Sequence, residues 1–196
     1  MLKMKKFDIF LKKLKLMNNP NLVYKIIDSR KIHRTKYPLL KICIGMGIDV
    51  GCGSDKIIPG AIGIDITGRG EYGRYGSQKN QISQADIKTS GDNLYMFKDN
   101  SLDYVVSRDN IEHYVDFIKA LKEWNRVLKN GGNLGITTPN DDEIDSLRLD
   151  STHKHAFNPS SLKSALEICG FKVLEMGTTI KGWGFYAIAK KMKDKK

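Results

Sequence analysis

Gly47-Ile48-Asp49-Val50-Gly51-Cys52-Gly53, with Ile62-Gly63-Ile64-Asp65 shortly after it, is the stretch from which the rest of this chain is read. The first run is a short apolar strand that breaks into a glycine turn. Glycines at 51 and 53 permit a positive φ and carry no Cβ to obstruct a ligand lying on the turn. Asp49 sits near the end of the strand and is expected to point at the same crevice. Asp65 closes the second apolar run, as a carboxylate at the carboxyl end of a second parallel strand. In an open α/β sheet, nucleoside ligands bind at that edge, and a strand-end acid there accepts hydrogen bonds from ribose hydroxyls.

A dinucleotide site needs G-x-G-x-x-G, whereas Gly51-Cys52-Gly53-Ser54-Asp55-Lys56 has Lys where the third glycine belongs. Asp49 would also confront a pyrophosphate, and like charges repel. A cationic ligand bearing a ribose is better served. IDVGCG followed by a strand ending in Asp resembles motif I and the next acidic strand end of the class I S-adenosylmethionine (SAM) dependent methyltransferases, in particular the small type 11-like members. The resemblance implies SAM as cofactor and S-adenosylhomocysteine as product. A nicotinamide-dependent dehydrogenase is a distant alternative.

The chain has 196 residues, enough for one domain with an appendage and a real core. No apolar run approaches a membrane span, and residues 1–17 lack the continuous apolar centre of a secretory signal. Cys43, Cys52 and Cys169 are scattered, which gives neither a disulfide framework nor an ordinary zinc pattern and points to a reducing cytoplasm. Cys52 reads as a small residue that fits the turn rather than as a nucleophile. Net charge is +11, but residues 1–41 carry +10 and residues 190–196 carry +4, so the body between them is slightly acidic at −3. A nucleic-acid enzyme more usually carries its positive charge across the catalytic face.

Residues 1–38 read as a basic helical extension, and residues 39–196 as the catalytic domain. In residues 4–17, Met4, Phe7, Leu11 and Leu14 recur at helical spacing among lysines, and residues 22–32 repeat the character. Such a helix either rests on an anionic membrane or a partner, or covers one edge of the sheet. Residues 39–44 are apolar, so the first strand is either longer than the motif or interrupted by the glycines that follow. Between Gly53 and the second strand there is no room for a full crossover helix. The family's link is longer and has another glycine where this chain has Asp55, which reshapes the methionine side of the pocket.

Residues 68–76 (GRGEYGRYG) suit a mobile flap over a substrate, and Arg and Tyr interleaved with Gly also suit RNA. Residues 81–86 are expected to form a third strand ending at Asp86. In the family an acid here contacts the adenine amino group, a role a carboxylate suits as an acceptor; a cap is the other reading. Residues 101–107 form a fourth buried strand, followed by Arg108-Asp109-Asn110-Ile111-Glu112-His113, which resembles the family's segment ending in Glu-His.

Residues 116–129 show the clearest helix. Phe117, Leu121, Trp124 and Leu128 fall on one stripe, Glu123 and Arg126 are expected to face water, and Asn130-Gly131-Gly132 is expected to stop it. A fifth strand over residues 133–138, ending at Pro139-Asn140, again resembles the family. Residues 141–155 form a polar loop of functional length. His153 and His155 there are either bases for an acceptor hydroxyl or amine, or surface histidines. Asn158 and Pro159 start another helix, stopped by Gly170. Two final strands over residues 171–176 and 185–189 share a short connection, so they are antiparallel.

The expected fold is therefore α/β: a Rossmann-like, doubly wound, mostly parallel seven-stranded sheet with an antiparallel C-terminal hairpin. By the resemblance, Asp49, Gly51 and Gly53 serve the methionine and sulfonium region, Asp65 the ribose and Asp86 the adenine. Asp109, His113, His153 and His155 stand on the substrate side, and no metal is expected. The acceptor expected is a small molecule or carbohydrate. The alternatives are an RNA methyltransferase that uses its basic tails, or a non-catalytic SAM-binding scaffold.

Overall fold

The computed structural model describes residues 36–74 and 78–193. The helices expected over residues 4–17 and 22–32, and residues 194–196 of the lysine tail, lie outside the described residues.

Seven strands form one sheet in the order β3-β2-β1-β4-β5-β7-β6. They are β1 (Gly47–Val50), β2 (Ile62–Asp65), β3 (Ile87–Lys88), β4 (Leu102–Arg108), β5 (Leu128–Pro139), β6 (Phe171–Ile180) and β7 (Gly184–Lys191). Pairings from β3 through β5 are parallel. Strand β7 runs antiparallel to both β5 and β6. The α/β fold, the parallel majority and the C-terminal hairpin are as the sequence indicated. The chain steps outward from β1 to β2 and β3, then returns to lay β4 on the other side of β1. That reversal opens a crevice at the carboxyl ends of β1 and β4.

Alternation along the central strands sorts side chains onto two faces. Ile48, Val50 and Val105 pack on one, against α1 (Phe117–Val127) and α3 (Pro159–Ile168), where Ala120, Leu121, Trp124, Val127, Leu162 and Leu166 are buried. Tyr104 and Val106 pack on the other with Leu39, Ile42, Cys43 and Ile57. Residues 39–44 do not extend the first strand. Most of them belong to a 3-10 helix, Tyr37–Ile42, with Pro38 in its first turn, and its Leu39 and Ile42 close the second face.

Three further expectations change. The third strand is Ile87–Lys88, after Asp86 rather than before it. Helix α1 ends at Val127 because Leu128 is already extended and pairs with Leu102, so Gly131 lies in the following strand segment rather than at the helix stop. Glu123 and Arg126 do not simply face water. They make a two-pronged ion pair that binds the Leu94 N–H (2.8 Å) and the Leu94 and Phe97 carbonyls (3.0 Å each), clamping the loop before β4. By contrast, Asn158 caps α3 in a reciprocal box with Ser161, with Pro159 at the first position, as read. Helix α2 (Ser146–Leu149) is a single turn in the long loop. Among the described residues no helix is long and apolar enough to cross a membrane.

Trp124 ties the core to the crevice. Its ring is fully buried and its Nε1–H donates to the Gly91 carbonyl at 2.9 Å. Trp124→Ala is expected to cost about 3–5 kcal/mol in urea unfolding, through cavity formation and a stranded carbonyl. Trp124→Phe, which keeps most of the packing, should lose about 1–3 kcal/mol.

Candidate functional site

The glycine turn is hung from the end of β2. Gly51 N–H and Cys52 N–H both donate to the Ile64 carbonyl, at 2.8 and 3.2 Å, and Gly53 N–H donates to Asp65 Oδ2 at 2.9 Å. Gly51 and Gly53 adopt φ of 70° and 52°, the left-handed region. A Cβ on Gly51 would run into the Asn110 side chain, so the glycine is what lets the segment after β4 close over the turn.

A cavity of about 150 Å³ opens here. Gly51, Asp65, Gly91, Asn110, His113 and Tyr114 are among its walls. Asp65 Oδ1 accepts from Thr67 N–H at 2.8 Å, so both carboxylate oxygens are fixed while each keeps acceptor capacity. Asn110 Nδ2 donates to Ser107 Oγ (3.0 Å) and to Tyr114 Oη (3.2 Å), which fixes the opposite wall. Cys52 is buried and its thiol is pushed up to about 12, chiefly by burial and then by the Asp49 and Asp65 charges, so it is no nucleophile.

Asp49 lies elsewhere than its strand-end position suggested. It points to the second face of the sheet, fully buried, and accepts from the Ile57 N–H at 2.5 Å, with the Arg108 guanidinium at 3.5 Å. Its other oxygen has no hydrogen-bond partner among the described residues. Burial raises its pKa, and Arg108 opposes that shift. Asp86 precedes β3, accepts from Gly63 N–H (2.8 Å) and pairs with Lys56 (2.8 Å) and Arg69. Neither acid lines the cavity.

A second polar group adjoins the first. After β4 the chain makes a 3-10 turn, Ile111–His113, which sets Glu112 inward. The Lys154 and His155 N–H groups donate to the Glu112 carbonyl at 2.7 and 3.2 Å, lashing the loop of residues 141–155 onto this turn. His113 and His153 then meet edge to face, 4.7 Å between ring centres. Glu112 Oε2 accepts from Thr138 Oγ1 at 3.1 Å, and His153 Nε2 is 3.9 Å from Glu112 Oε1 and 3.9 Å from Asp150 Oδ2.

The hydrogen bonds assign the tautomers. His153 Nδ1 faces the Ser146 carbonyl at 3.0 Å and must donate to it. The Thr152 hydroxyl donates to Asp150 Oδ1 at 2.6 Å, so His113 Nδ1, 3.1 Å away, donates to Thr152 Oγ1. Both Nε2 atoms therefore carry lone pairs. Burial, and then the neighbouring His153, hold the His113 pKa below its ordinary value. Asp109 stands beside the group, with Thr137 Oγ1 donating to its Oδ1 at 3.1 Å. His155 does not join it. Its Nε2 donates to the Val115 carbonyl at 3.1 Å and its ring packs against Phe117.

Glu112, Asn110 and Tyr114 were not singled out from the sequence. The signal for Glu112 was present in the Glu-His pair, yet nothing local distinguishes a buried acid from an exposed one.

The Glu112 carboxyl is pushed up to about 8, by burial and then by the Asp109 charge, with the Thr138 hydroxyl opposing. An unfolded chain ionises glutamate near about 4.3. The stability that the native, protonated form contributes is full below that value and is lost as pH rises through about 8. Thermal melts of metal-free protein between about pH 5 and pH 8 should therefore fall less steeply for Glu112→Gln than for wild type.

A parallel sheet with a crevice at its reversal point, a glycine turn, a strand-end acid and an antiparallel β7 is a Rossmann-like arrangement of the kind seen in SAM-dependent methyltransferases. The comparisons agree. Residues 48–136 match the family model described as a methyltransferase domain. Uncharacterized protein MJ0638 of Methanocaldococcus jannaschii is 38% identical over 78 residues, 40% of this chain and 34% of that protein. The match thus spans about a third of the curated relative's length. Among solved structures, a chain from the Haloferax volcanii complex of the Trm112 methyltransferase activator with a methyltransferase superimposes with TM-score 0.61 at 17% identity. It covers 86% of this chain and 93% of that one. A SAM-dependent methyltransferase from Archaeoglobus fulgidus gives TM-score 0.59 at 19% identity, covering 93% and 99%. At these identities the likeness is one of fold. SAM is the cofactor that this domain implies.

Proposed function

We propose that this chain is a SAM-dependent methyltransferase acting on a small-molecule or sugar acceptor. The observation that carries the reading is the fixed Asp65 carboxylate beside a turn held by two glycines, in a cavity that His113 also lines. When bound, SAM supplies a methyl group already activated on a positive sulfur, so the protein's tasks are positioning, exclusion of water and management of one proton.

The residues present suit that cofactor. Asp65 retains acceptor capacity for ribose hydroxyls, and Gly51 brings its backbone to the cavity wall while Gly53 ties the turn to Asp65. Asp49 would act through the turn, by holding Ile57, rather than by touching the ligand. Asp86, spent on Lys56 and Arg69, has to release a cation to serve an adenine amine. On the acceptor side, the Nε2 lone pairs of His113, on the cavity wall, and of His153, packed against its ring, are the candidate bases. His155, engaged with Val115, is a positioning residue for its loop at most.

A sugar or small polar acceptor fits the slightly acidic body of the chain better than a polyanion does. Calorimetric titration with SAM and S-adenosylhomocysteine tests the cofactor half of the reading. Wild type should bind both, and Asp65→Ala should bind about 10- to 100-fold more weakly, the loss expected for hydrogen bonds to a charged group. Absence of binding to either ligand by the wild type would overturn it. Oligoribonucleotide affinity that falls steeply with salt would move the acceptor to RNA.

A further inference from the structure

We propose that Glu112, His113 and His153 form a binding site for one divalent transition-metal ion, with open coordination positions toward the cavity. One ligand atom from each of the three lies within 4.8 Å of the other two. A tetrahedral ion with bonds of about 2.1 Å needs its ligands about 3.4 Å apart, so closure by roughly an ångström, within reach of side-chain rotation, completes the set.

Two independent features single this group out from an ordinary polar cluster. The first is an orphan. Glu112 is 1% exposed, its Oε1 has no hydrogen-bond partner among the described residues, and that oxygen faces His153 Nε2 at 3.9 Å. Buried carboxylate oxygens are rarely left so, because an unmet acceptor forfeits its hydration without return. The second is the outer layer of hydrogen bonds. Metal-binding histidines donate their other N–H to a carbonyl or a carboxylate-held group, which fixes the tautomer and aims the lone pair. His153 donates to Ser146 O, and Ser146 is itself held by Asp141 Oδ1 through its N–H and hydroxyl. His113 donates to Thr152, held by Asp150. The second Glu112 oxygen is secured by Thr138. Each of the three side chains is thus anchored at one end, and His153 Nε2 and Glu112 Oε1 turn their unanchored ends toward each other.

Two imidazole nitrogens and one carboxylate oxygen suit Zn²⁺, Fe²⁺, Co²⁺ or Mn²⁺ rather than Ca²⁺, which prefers an all-oxygen shell. Three protein ligands leave at least one position for an exogenous oxygen. Because His113 also lines the cavity, that position serves a hydroxyl-bearing acceptor. The site departs from the expectation of no metal; ion binding stands without methyl transfer, whereas its service to an acceptor rests on the proposed function. The same group can serve as the proton-accepting corner when empty and as an anchor for an acceptor oxygen when filled.

The test is calorimetric titration of the full chain, stripped with chelator, with Mn²⁺ and with Zn²⁺, together with the visible spectrum of the Co²⁺-loaded protein. Wild type should take up one equivalent that Glu112→Gln and His153→Gln each bind at least about 100-fold more weakly. Glu143→Gln, an exposed acid in the same loop, should bind like wild type. Thermal melts of the metal-free variants establish that they fold, and titration with SAM in parallel separates loss of this site from loss of the cofactor site. Wild-type protein that binds SAM but none of the three ions would overturn the proposal, as would metal binding that survives both substitutions.

Discussion

Three successive N–H groups, of Gly51, Cys52 and Gly53, are held by the last two residues of β2, and the crevice exists because of that attachment. A turn after a parallel strand has no partner strand of its own, so its donors must be met by the neighbouring strand end. Meeting them there forces a left-handed backbone at two positions, which confines both to glycine at little strain. It also places Asp65 directly beneath the turn. One carboxylate therefore serves twice, as a structural acceptor for Gly53 and Thr67 and as the acid that faces the cavity.

The two faces of the sheet treat their buried charges differently. On the second face, Asp49 is compensated by Arg108, whose guanidinium also contacts the Asp55 carbonyl and approaches its side chain at 4.0 Å. Lys36 reaches Asp55 at 2.5 Å, so the residue that replaces the family's additional glycine is drawn into an ionic network. Asp55 is thus an anchoring point for the turn rather than a gap in the site. At the carboxyl edge, Glu112 has no such cation within hydrogen-bonding range among the described residues, and a low-dielectric setting keeps its proton on. A buried acid without a counter-charge destabilises a fold, and its retention beside two histidines with lone pairs is understandable as a site awaiting a cation.

The loop of residues 141–155 connects these elements. Donation from Lys154 and His155 to the Glu112 carbonyl joins it to the turn after β4, while Asn140 and Asp141 bond back to Trp183 and Phe157. The histidines are consequently set by backbone pairing on both sides. Within three residues that pairing divides them, His153 toward Glu112 and His155 toward Val115 and Phe117.

Much was legible in the chain because local chemistry dictates it. Gly51 and Gly53 mark a turn that few other residues can make, Asn158-Pro159 marks a helix start, and the short 181–183 connection leaves β6 and β7 no choice but to run antiparallel. The place of Asp65 at the end of its strand was legible from the apolar run before it, and that register is what sets it on the cavity wall. Asp49, Asp86 and Glu112 were decided only by tertiary packing. The direction of Asp49 follows from the pleat, which assigns alternate residues to opposite faces, and its partner Arg108 lies on a neighbouring strand far along the chain. Asp86 is engaged by Lys56 and Arg69 from two separate loops. The meeting of Glu112, His113 and His153 depends on a loop folding back over the sheet edge, a long-range arrangement that no spacing within either segment encodes.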